Sequence, residues 1–320
     1  MTMVTVAGAG AFGTALAIAL ARESGKITLF GRNQAGIEHM RAKRSNPHYL
    51  PDCRFPEDLA ISNDPGVLAE AATVLLVVPT QHLRAFVLQH RKQLDGKTCV
   101  LCCKGIEKDS GLLPSSVAGE ILADCKIAVL TGPGFAAEIA RGLPTALTLA
   151  AKTDGAALQA LLSTQTLRLY LSDDVIGAQL GGALKNVIAI ACGITLGAGL
   201  GESARAAVMT RGYAEMLRLA TEMGANATTL SGLSGLGDLA LTSTSAQSRN
   251  FSFGFALGKG SGIADGPTIE GIATARATLT LAKRRGVDMP LTGIVTAVLE
   301  QTLTIRQAVD ALLSRPLKPE

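Results

Sequence analysis

The sequence predicts an α/β fold: an amino-terminal doubly wound sheet of parallel strands, followed by an all-helical carboxy-terminal domain. Three observations carry that expectation. Short apolar, β-rich runs alternate with helix-like runs over residues 1–171; a glycine-rich turn joins the first strand to the first helix; strand-like runs stop near residue 172.

The expected strands are Val4–Ala7, Ile27–Phe30, Val74–Val78, Cys99–Cys103 and Ile127–Leu130, with Thr145–Ala150 and Leu167–Leu171 extending the sheet. Each is a near-continuous apolar run, as a strand covered on both faces requires. Helices are expected at Thr14–Arg22, Gln34–Lys43, Leu83–Leu94 and Pro114–Leu122. Ser172-Asp173-Asp174 is a helix N-cap cluster and sets the boundary between domains 1–171 and 172–320. Beyond it the periodicity predicts helices at Val175–Gly193, Ala204–Glu222, Ser248–Leu257, Ile269–Arg285, Pro290–Glu300 and Thr304–Leu313. The polar tail from Arg315 to Glu320 is expected to fray.

Composition bounds the function. A chain of 320 residues holds roughly two domains. Its 48% apolar and 18% charged content excludes wholesale disorder. The net charge of +4 is too balanced for a nucleic-acid coat, and 3% aromatics without Trp offer few stacking platforms. A mean hydropathy of +0.31 raises the question of a membrane. The longest apolar stretch, Val187–Leu200, falls short of the roughly 18–20 residues a bilayer requires, and Lys185 and Asn186 stand at its head. It reads as a buried helix, and no membrane span is expected. The first seven residues lack a basic region and a cleavage site, so no secretory signal is expected. Cys53, Cys99, Cys102, Cys103, Cys125 and Cys192 then read as thiols in a reducing cytoplasm. The four His are scattered without ligand spacing, and no metal is expected.

Gly8-Ala9-Gly10-Ala11-Phe12-Gly13 follows the first strand and opens the first helix, the context that a dinucleotide fingerprint needs. The first glycine makes the tight turn, the second admits a pyrophosphate to the helix start, and the third allows close helix–strand packing. The sheet is therefore expected to be Rossmann-type. Arg32 stands after the second strand, where NAD-selective sites carry an acidic residue. A guanidinium suits a 2′-phosphate, which favours NADP(H) with NAD(H) possible; a solvated loop Arg is the alternative.

A hydride-transfer enzyme acting on an alcohol also needs a proton acceptor. Lys185 lies inside the apolar, Gly-rich run Gln179–Ala189, where an ammonium is costly unless paired or used. It is either the acceptor or a lysine snorkelling to water. Lys104 follows a strand at the carboxyl edge of the sheet, where ligands bind. Gly132, Gly134 and Ala136 lie in a Pro-Gly turn that leads into a short helix. The polar, Gly-rich segment from Ser231 to Asn250 places Ser248, Arg249 and Asn250 at a helix start, a phosphate-binding set, with Asp238 placed to orient Lys185 or accept a substrate hydroxyl.

These motifs in this order resemble the bacterial-type NAD(P)-dependent glycerol-3-phosphate dehydrogenases. The resemblance spans nearly the whole chain: GAGxxGTA at Gly8–Ala15, KGIE at Lys104–Glu107, GPxFAxE at Gly132–Glu138, GLPTA at Gly142–Ala146, LGGALKNVIAI at Leu180–Ile190, SGLGDL at Ser234–Leu239 and QSRN at Gln247–Asn250. It implies interconversion of sn-glycerol 3-phosphate and dihydroxyacetone phosphate with NAD(P), feeding glycerophospholipid synthesis in the cytoplasm. By similarity Lys185 is the proton acceptor. Lys104, Gly132, Gly134, Asp238, Ser248, Arg249 and Asn250 contact the substrate. Gly8, Gly10, Ala11, Phe12, Gly13, Arg32, Lys104, Ala136, Arg249, Thr268 and Glu270 contact the cofactor. The chain departs from the family at Ala11, where many members carry Ser or another polar or bulky residue, and at Gly134, where Ser or Thr is usual. The apolar carboxy-terminal helices suggest a homodimer. Competing expectations are a ketopantoate or 3-hydroxyacid dehydrogenase of similar build, and a catalytically silent nucleotide sensor.

Overall fold

The computed structural model describes residues 3–23, 26–261 and 269–314. The chain forms two compact units, one comprising Met1–Lys104 with Leu112–Gln179, the other Gly105–Gly111 with Leu180–Glu320.

The first unit holds ten strands among the described residues: β1 (Val4–Ala7), β2 (Ile27–Phe30), β3 (Ser45–Asn46), β4 (Leu50–Arg54), β5 (Ala60–Ser62), β6 (Thr73–Leu76), β7 (Thr98–Leu101), β8 (Lys126–Thr131), β9 (Thr145–Ala151) and β10 (Leu167–Ser172). Eight of them make one sheet in the order β10-β9-β8-β7-β6-β1-β2-β5, while β3 and β4 form a separate hairpin. Alternate residues face opposite layers. Leu75, Val100 and Leu130 join the core under the helix Ala11–Ala21, whereas Leu76, Leu101 and Val129 face the core on the other side. That double covering accounts for the continuous apolar runs.

Three features differ from the sequence reading. The sheet is not wholly parallel, since β8 and β9 run antiparallel while β9 and β10 are parallel. The link between β8 and β9 holds the short helix Ala136–Arg141, closed by Gly142 at φ 80°. The expected helix Leu83–Leu94 is two helices, Thr80–Gln89 and Arg91–Leu94, broken at His90, whose ring packs 4.6 Å from Phe86 and 5.8 Å from Phe30. Finally, β3, β4 and β5 lie in a polar stretch too short to show a period.

The second unit has no strand among its described residues. It starts within the helix Val175–Gly197 and continues through Gly201–Glu222, Ala227–Ser231, a π-helical turn at Leu233–Gly237, Asp238–Thr244, Arg249–Gly258, Glu270–Arg285, Pro290–Leu299 and Ile305–Leu313. Val175–Gly197 is long and apolar enough to cross a membrane, but 89% of that apolar window is buried within the protein. Glycines let it meet the helix Arg249–Gly258 backbone to backbone. A Cβ on Gly193 would lie 2.1 Å from the Phe251 carbonyl oxygen, and one on Gly254 2.2 Å from that of Ile190. Glu215, 2% exposed, accepts from the Leu291 and Thr292 amides at 2.6 and 3.0 Å and from Thr292 Oγ1 at 2.8 Å. It thereby caps the helix Pro290–Leu299, which starts with proline and lacks a local side-chain cap.

Candidate functional site

In the first unit the site is built from main chain. β1 ends at Ala7, beside β6 on one side and β2 on the other, where the strand order reverses. Such a switch point opens a crevice at the carboxyl ends of the strands. Gly8 turns there with φ 127°, and a Cβ on it would lie 2.3 Å from the Val77 carbonyl oxygen. A Cβ on Gly13 would lie 1.9 Å from the Gly8 carbonyl oxygen. Gly10 faces open space, with nothing within 4 Å of its Cβ position. It is also the N-cap of the helix Ala11–Ala21, with no side-chain cap, so the first-turn amides point into that space. A pyrophosphate fits this cradle, since the clashing positions are the structural glycines and the open one is the phosphate approach. Asn46 fastens the turn by donating to the Ala9 carbonyl at 3.0 Å and to Thr14 Oγ1 at 2.9 Å. No periodic signal marks that residue, so the sequence reading missed it.

Phe12 follows on the same turn, and Lys104 Nζ lies over its ring at 5.8 Å from the centroid. Lys104 Nζ also donates to the Gly132 carbonyl at 3.1 Å. Two expected ligand positions, from the neighbouring strands β7 and β8, thus meet through a main-chain oxygen. Arg32 is exposed beyond β2, and its neighbour Asn33 caps the next helix through the Gly36 amide at 2.9 Å. Ala136 begins the short helix after β8. At Gly134 the room for a side chain is taken, because a Cβ would lie 3.0 Å from Ile139 Cδ1 and 3.1 Å from Thr145 Cγ2. The absent hydroxyl there is accompanied by packing that fills its place.

In the second unit the site is built from buried side chains. A Cβ on Gly181 would lie 2.3 Å from the Ser234 carbonyl oxygen, so the helix Val175–Gly197 and the π-helical turn touch through their backbones. One turn further along each element, Lys185 meets Asp238. Lys185 Nζ donates to Asp238 Oδ1 at 2.6 Å and to Thr242 Oγ1 at 2.7 Å, with the lysine 7%, the aspartate 1% and the threonine 4% exposed. Thr242 in turn donates to Asp238 Oδ1 at 3.3 Å. The snorkelling alternative for Lys185 is therefore excluded. Thr242 had no assigned role in the sequence reading, although its i+4 spacing from Asp238 on one helix was a usable signal.

The Ser248–Asn250 set is divided by the fold. Ser248 Oγ accepts from the Phe251 amide at 3.2 Å as the N-cap of its helix and is 5% exposed. Arg249 is exposed. Asn250 has both ends of its amide in hydrogen bonds to protein: Nδ2 donates to Asn186 Oδ1 at 2.9 Å, and Oδ1 accepts from the Gly271 amide at 3.1 Å. Glu270 opens the helix Glu270–Arg285. Thr268 lies outside the described residues. Among the described residues no group of three or more His, Cys, Asp or Glu is arranged to hold a metal ion. Cys99 and Cys102 belong to opposite core layers, and Cys99 instead lies 3.7 Å from Cys125 between sulfurs. The hydrogen bond from Cys99 is the main cause that lowers the Cys125 thiol to about 7.

Comparison with known proteins agrees with the motif resemblance. The family model for the NAD-dependent glycerol-3-phosphate dehydrogenase N-terminus matches residues 3–157, and that for the C-terminus matches residues 174–310. A glycerol-3-phosphate dehydrogenase [NAD(P)+] of Ruegeria sp. (strain TM1040) is 55% identical over 99% of both chains. Its counterpart in Cereibacter sphaeroides is 52% identical over 99% of this chain and 100% of its own. The crystal structure of glycerol-3-phosphate dehydrogenase from Coxiella burnetii superposes with a TM-score of 0.94 at 38% identity, covering 98% of this chain and 99% of that one. A ketopantoate reductase from Ralstonia eutropha, 16% identical with a TM-score of 0.62 over 98% of this chain and 100% of its own, shares the fold alone. By two family models that together cover most of its length, and by relatives sharing half its residues, this chain belongs to the NAD-dependent glycerol-3-phosphate dehydrogenase family.

Proposed function

We propose that this chain interconverts dihydroxyacetone phosphate and sn-glycerol 3-phosphate with NAD(P)(H), and that Lys185 carries the proton. The observation behind the reading is the buried Lys185–Asp238–Thr242 set. A nicotinamide dinucleotide supplies the hydride when bound. Lys185 donates a proton to the substrate C2 oxygen as charge develops there, and accepts it in the oxidative direction. Asp238 and Thr242 fix the direction of Nζ, so the proton is held at one place. Ser248 retains a hydroxyl hydrogen to donate, and Arg249 at the helix start offers a guanidinium to a phosphate.

For the dinucleotide the amino-terminal unit offers the Gly8–Gly13 turn, Ala11, Phe12, Lys104 and Ala136. The exposed guanidinium of Arg32 supports a preference for NADP(H). By the same reading the enzyme acts in the cytoplasm, supplies glycerophospholipid synthesis and is a homodimer, the commonest closed assembly.

The test is NADPH oxidation at 340 nm with dihydroxyacetone phosphate, for wild type beside Lys185→Ala. Turnover that falls by about 10²–10⁴-fold while NADPH still binds supports both the reaction and the proton carrier. Activity that survives in the variant moves the proton role elsewhere. Turnover of ketopantoate but not of dihydroxyacetone phosphate overturns the substrate.

A further inference from the structure

The hairpin of β3 and β4 belongs to the amino-terminal unit but stands outside its main sheet. Two anchors fix it. Leu50 and Cys53 of β4 join the core layer that lies under the helix Ala11–Ala21. Arg44, left-handed at φ 49°, leads into β3, and its guanidinium donates to the carbonyls of Pro56, of Glu57 at 3.0 Å and of Leu59 at 3.1 Å. On this base stands Asn46, 3% exposed. Its Nδ2 gives one hydrogen to the Ala9 carbonyl at 3.0 Å and the other to Thr14 Oγ1 at 2.9 Å. These acceptors bracket the first turn of the helix: Ala9 precedes the N-cap Gly10, and the Thr14 amide donates to the Gly10 carbonyl at 2.9 Å. A carbonyl only accepts, so Nδ2 must face the helix, and Asn46 Oδ1 faces its own hairpin, where the Tyr49 amide donates at 3.4 Å. The Ala9 carbonyl and the Gly10 N–H belong to one planar trans peptide and point in opposite directions. Holding that oxygen toward the hairpin turns the Gly10 N–H away from it.

We infer that Asn46 is a positioning residue for the dinucleotide: by holding the Ala9–Gly10 peptide, it sets the Gly10 N–H and the first-turn amides of the helix Ala11–Ala21 to receive a pyrophosphate. The hairpin is then a brace of the glycine turn. Gly8 and Gly13 are fixed by close contact with the Val77 and Gly8 carbonyls, but Gly10 has no neighbour at its Cβ position and no side-chain cap. Asn46 supplies at that peptide the constraint that packing does not. It acts through the peptide and not on the ligand, and every residue of the brace lies within the amino-terminal unit. The inference rests on the reading above, in which this turn binds a nicotinamide dinucleotide, and adds what orients the turn.

Isothermal titration of the full chain with NADPH tests the brace without turnover. Thr14→Val removes one acceptor of Asn46 and keeps the bond to Ala9, so the affinity should stay within about twofold of wild type. Asn46→Leu combined with Thr14→Val replaces a buried polar pair by an apolar pair of similar size, an exchange that folding tolerates, and loses the bond to Ala9. It should weaken NADPH binding by about tenfold. In turnover the KM for NADPH should rise in step, while kcat and the KM for dihydroxyacetone phosphate shift by less than about twofold. A merely structural role would not separate the two variants in this way. Hydrogen exchange on wild type supplies a second measurement that needs no variant. If the hairpin orients the turn, NADPH must in return steady the hairpin, and the Phe55 amide, which donates to the Arg44 carbonyl at 2.8 Å, should exchange more slowly with NADPH bound. Equal NADPH affinity in the two variants, loss confined to the KM for dihydroxyacetone phosphate, or hairpin exchange indifferent to NADPH would each overturn the brace. A wild type that binds NADPH but does not reduce dihydroxyacetone phosphate would instead overturn the functional reading, and the titrations would still judge the brace. A wild type that binds neither NADPH nor NADH would overturn both.

Discussion

The two units bring polar groups together inside the protein with different materials. The amino-terminal unit uses backbone: Gly8, Gly10 and Gly13 are defined by where a Cβ would collide or find room. The helical unit uses side chains buried in pairs, Lys185 with Asp238, Asn186 with Asn250, and Glu215 with the amides of Leu291 and Thr292. A backbone site tolerates almost no added volume. A site of buried polar pairs tolerates no loss of a partner, because the group left behind has been removed from water.

The largest effect should come from breaking a pair. Lys185→Met leaves the Asp238 carboxylate, 1% exposed, without its ammonium, and should cost about 3–5 kcal/mol of stability along with the activity. Lys185→Met with Asp238→Leu should regain most of the stability and none of the activity, as read by urea denaturation beside the 340 nm assay. If the single and double variants are equally stable, the contrast between the units fails at its main point.

The backbone side is sharpened by two alanines three residues apart. Gly13→Ala places a Cβ 1.9 Å from the Gly8 carbonyl oxygen and should cost about 3 kcal/mol through overpacking. Gly10→Ala meets nothing within 4 Å, so it should change stability by less than about 0.5–1 kcal/mol while weakening NADPH binding. Denaturation and NADPH titration on both variants separate folding from ligand approach.

Glu215→Gln should cost about 1–3 kcal/mol, since the amide nitrogen must face one of the two backbone donors. Its pH behaviour has a definite sign. Burial raises the Glu215 carboxyl above its usual 4.5, so its contribution is full below about pH 4.5 and declines as pH rises through the raised value. The gap in Tm between wild type and Glu215→Gln should therefore narrow from acid toward neutral pH. His90, packed between Phe30 and Phe86 in the other unit, slopes the opposite way and gives the smallest effect. Burial lowers it from 6.5, so its contribution is full above about pH 6.5 and is lost as pH falls through the lowered value. His90→Phe should flatten that part of the Tm profile between pH 7.5 and 5.5.

The same contrast explains what was legible before the structure. Strands β1 and β2, the glycine turn and the helix Gln34–Lys43 could be read to the residue, because period, hydrophobicity and turn chemistry are local. The break at His90 was not; its ring sits beside Phe30, which comes from a strand remote in the sequence. Lys185 was visible as an anomaly, a charge in an apolar helix, and left two readings open. Only the contact of Gly181 with Ser234, one turn earlier, settled between them by bringing Asp238 and Thr242 to its ammonium.

By itself, then, the sequence determined the α/β class, the glycine cradle and the identity of the residues available for chemistry, all properties carried by short stretches of chain. The tertiary structure decided the antiparallel turn of β9, the use of Asn46 to pin the cradle, and which buried polar groups pair. Hydrogen-bond partners 32 to 64 residues apart, such as Asn46 with Thr14, Lys185 with Asp238 and Asn250 with Asn186, leave no local pattern. Their geometry exists only once apolar packing has brought the elements together, and it is then enforced by the cost of leaving any one of them unpaired.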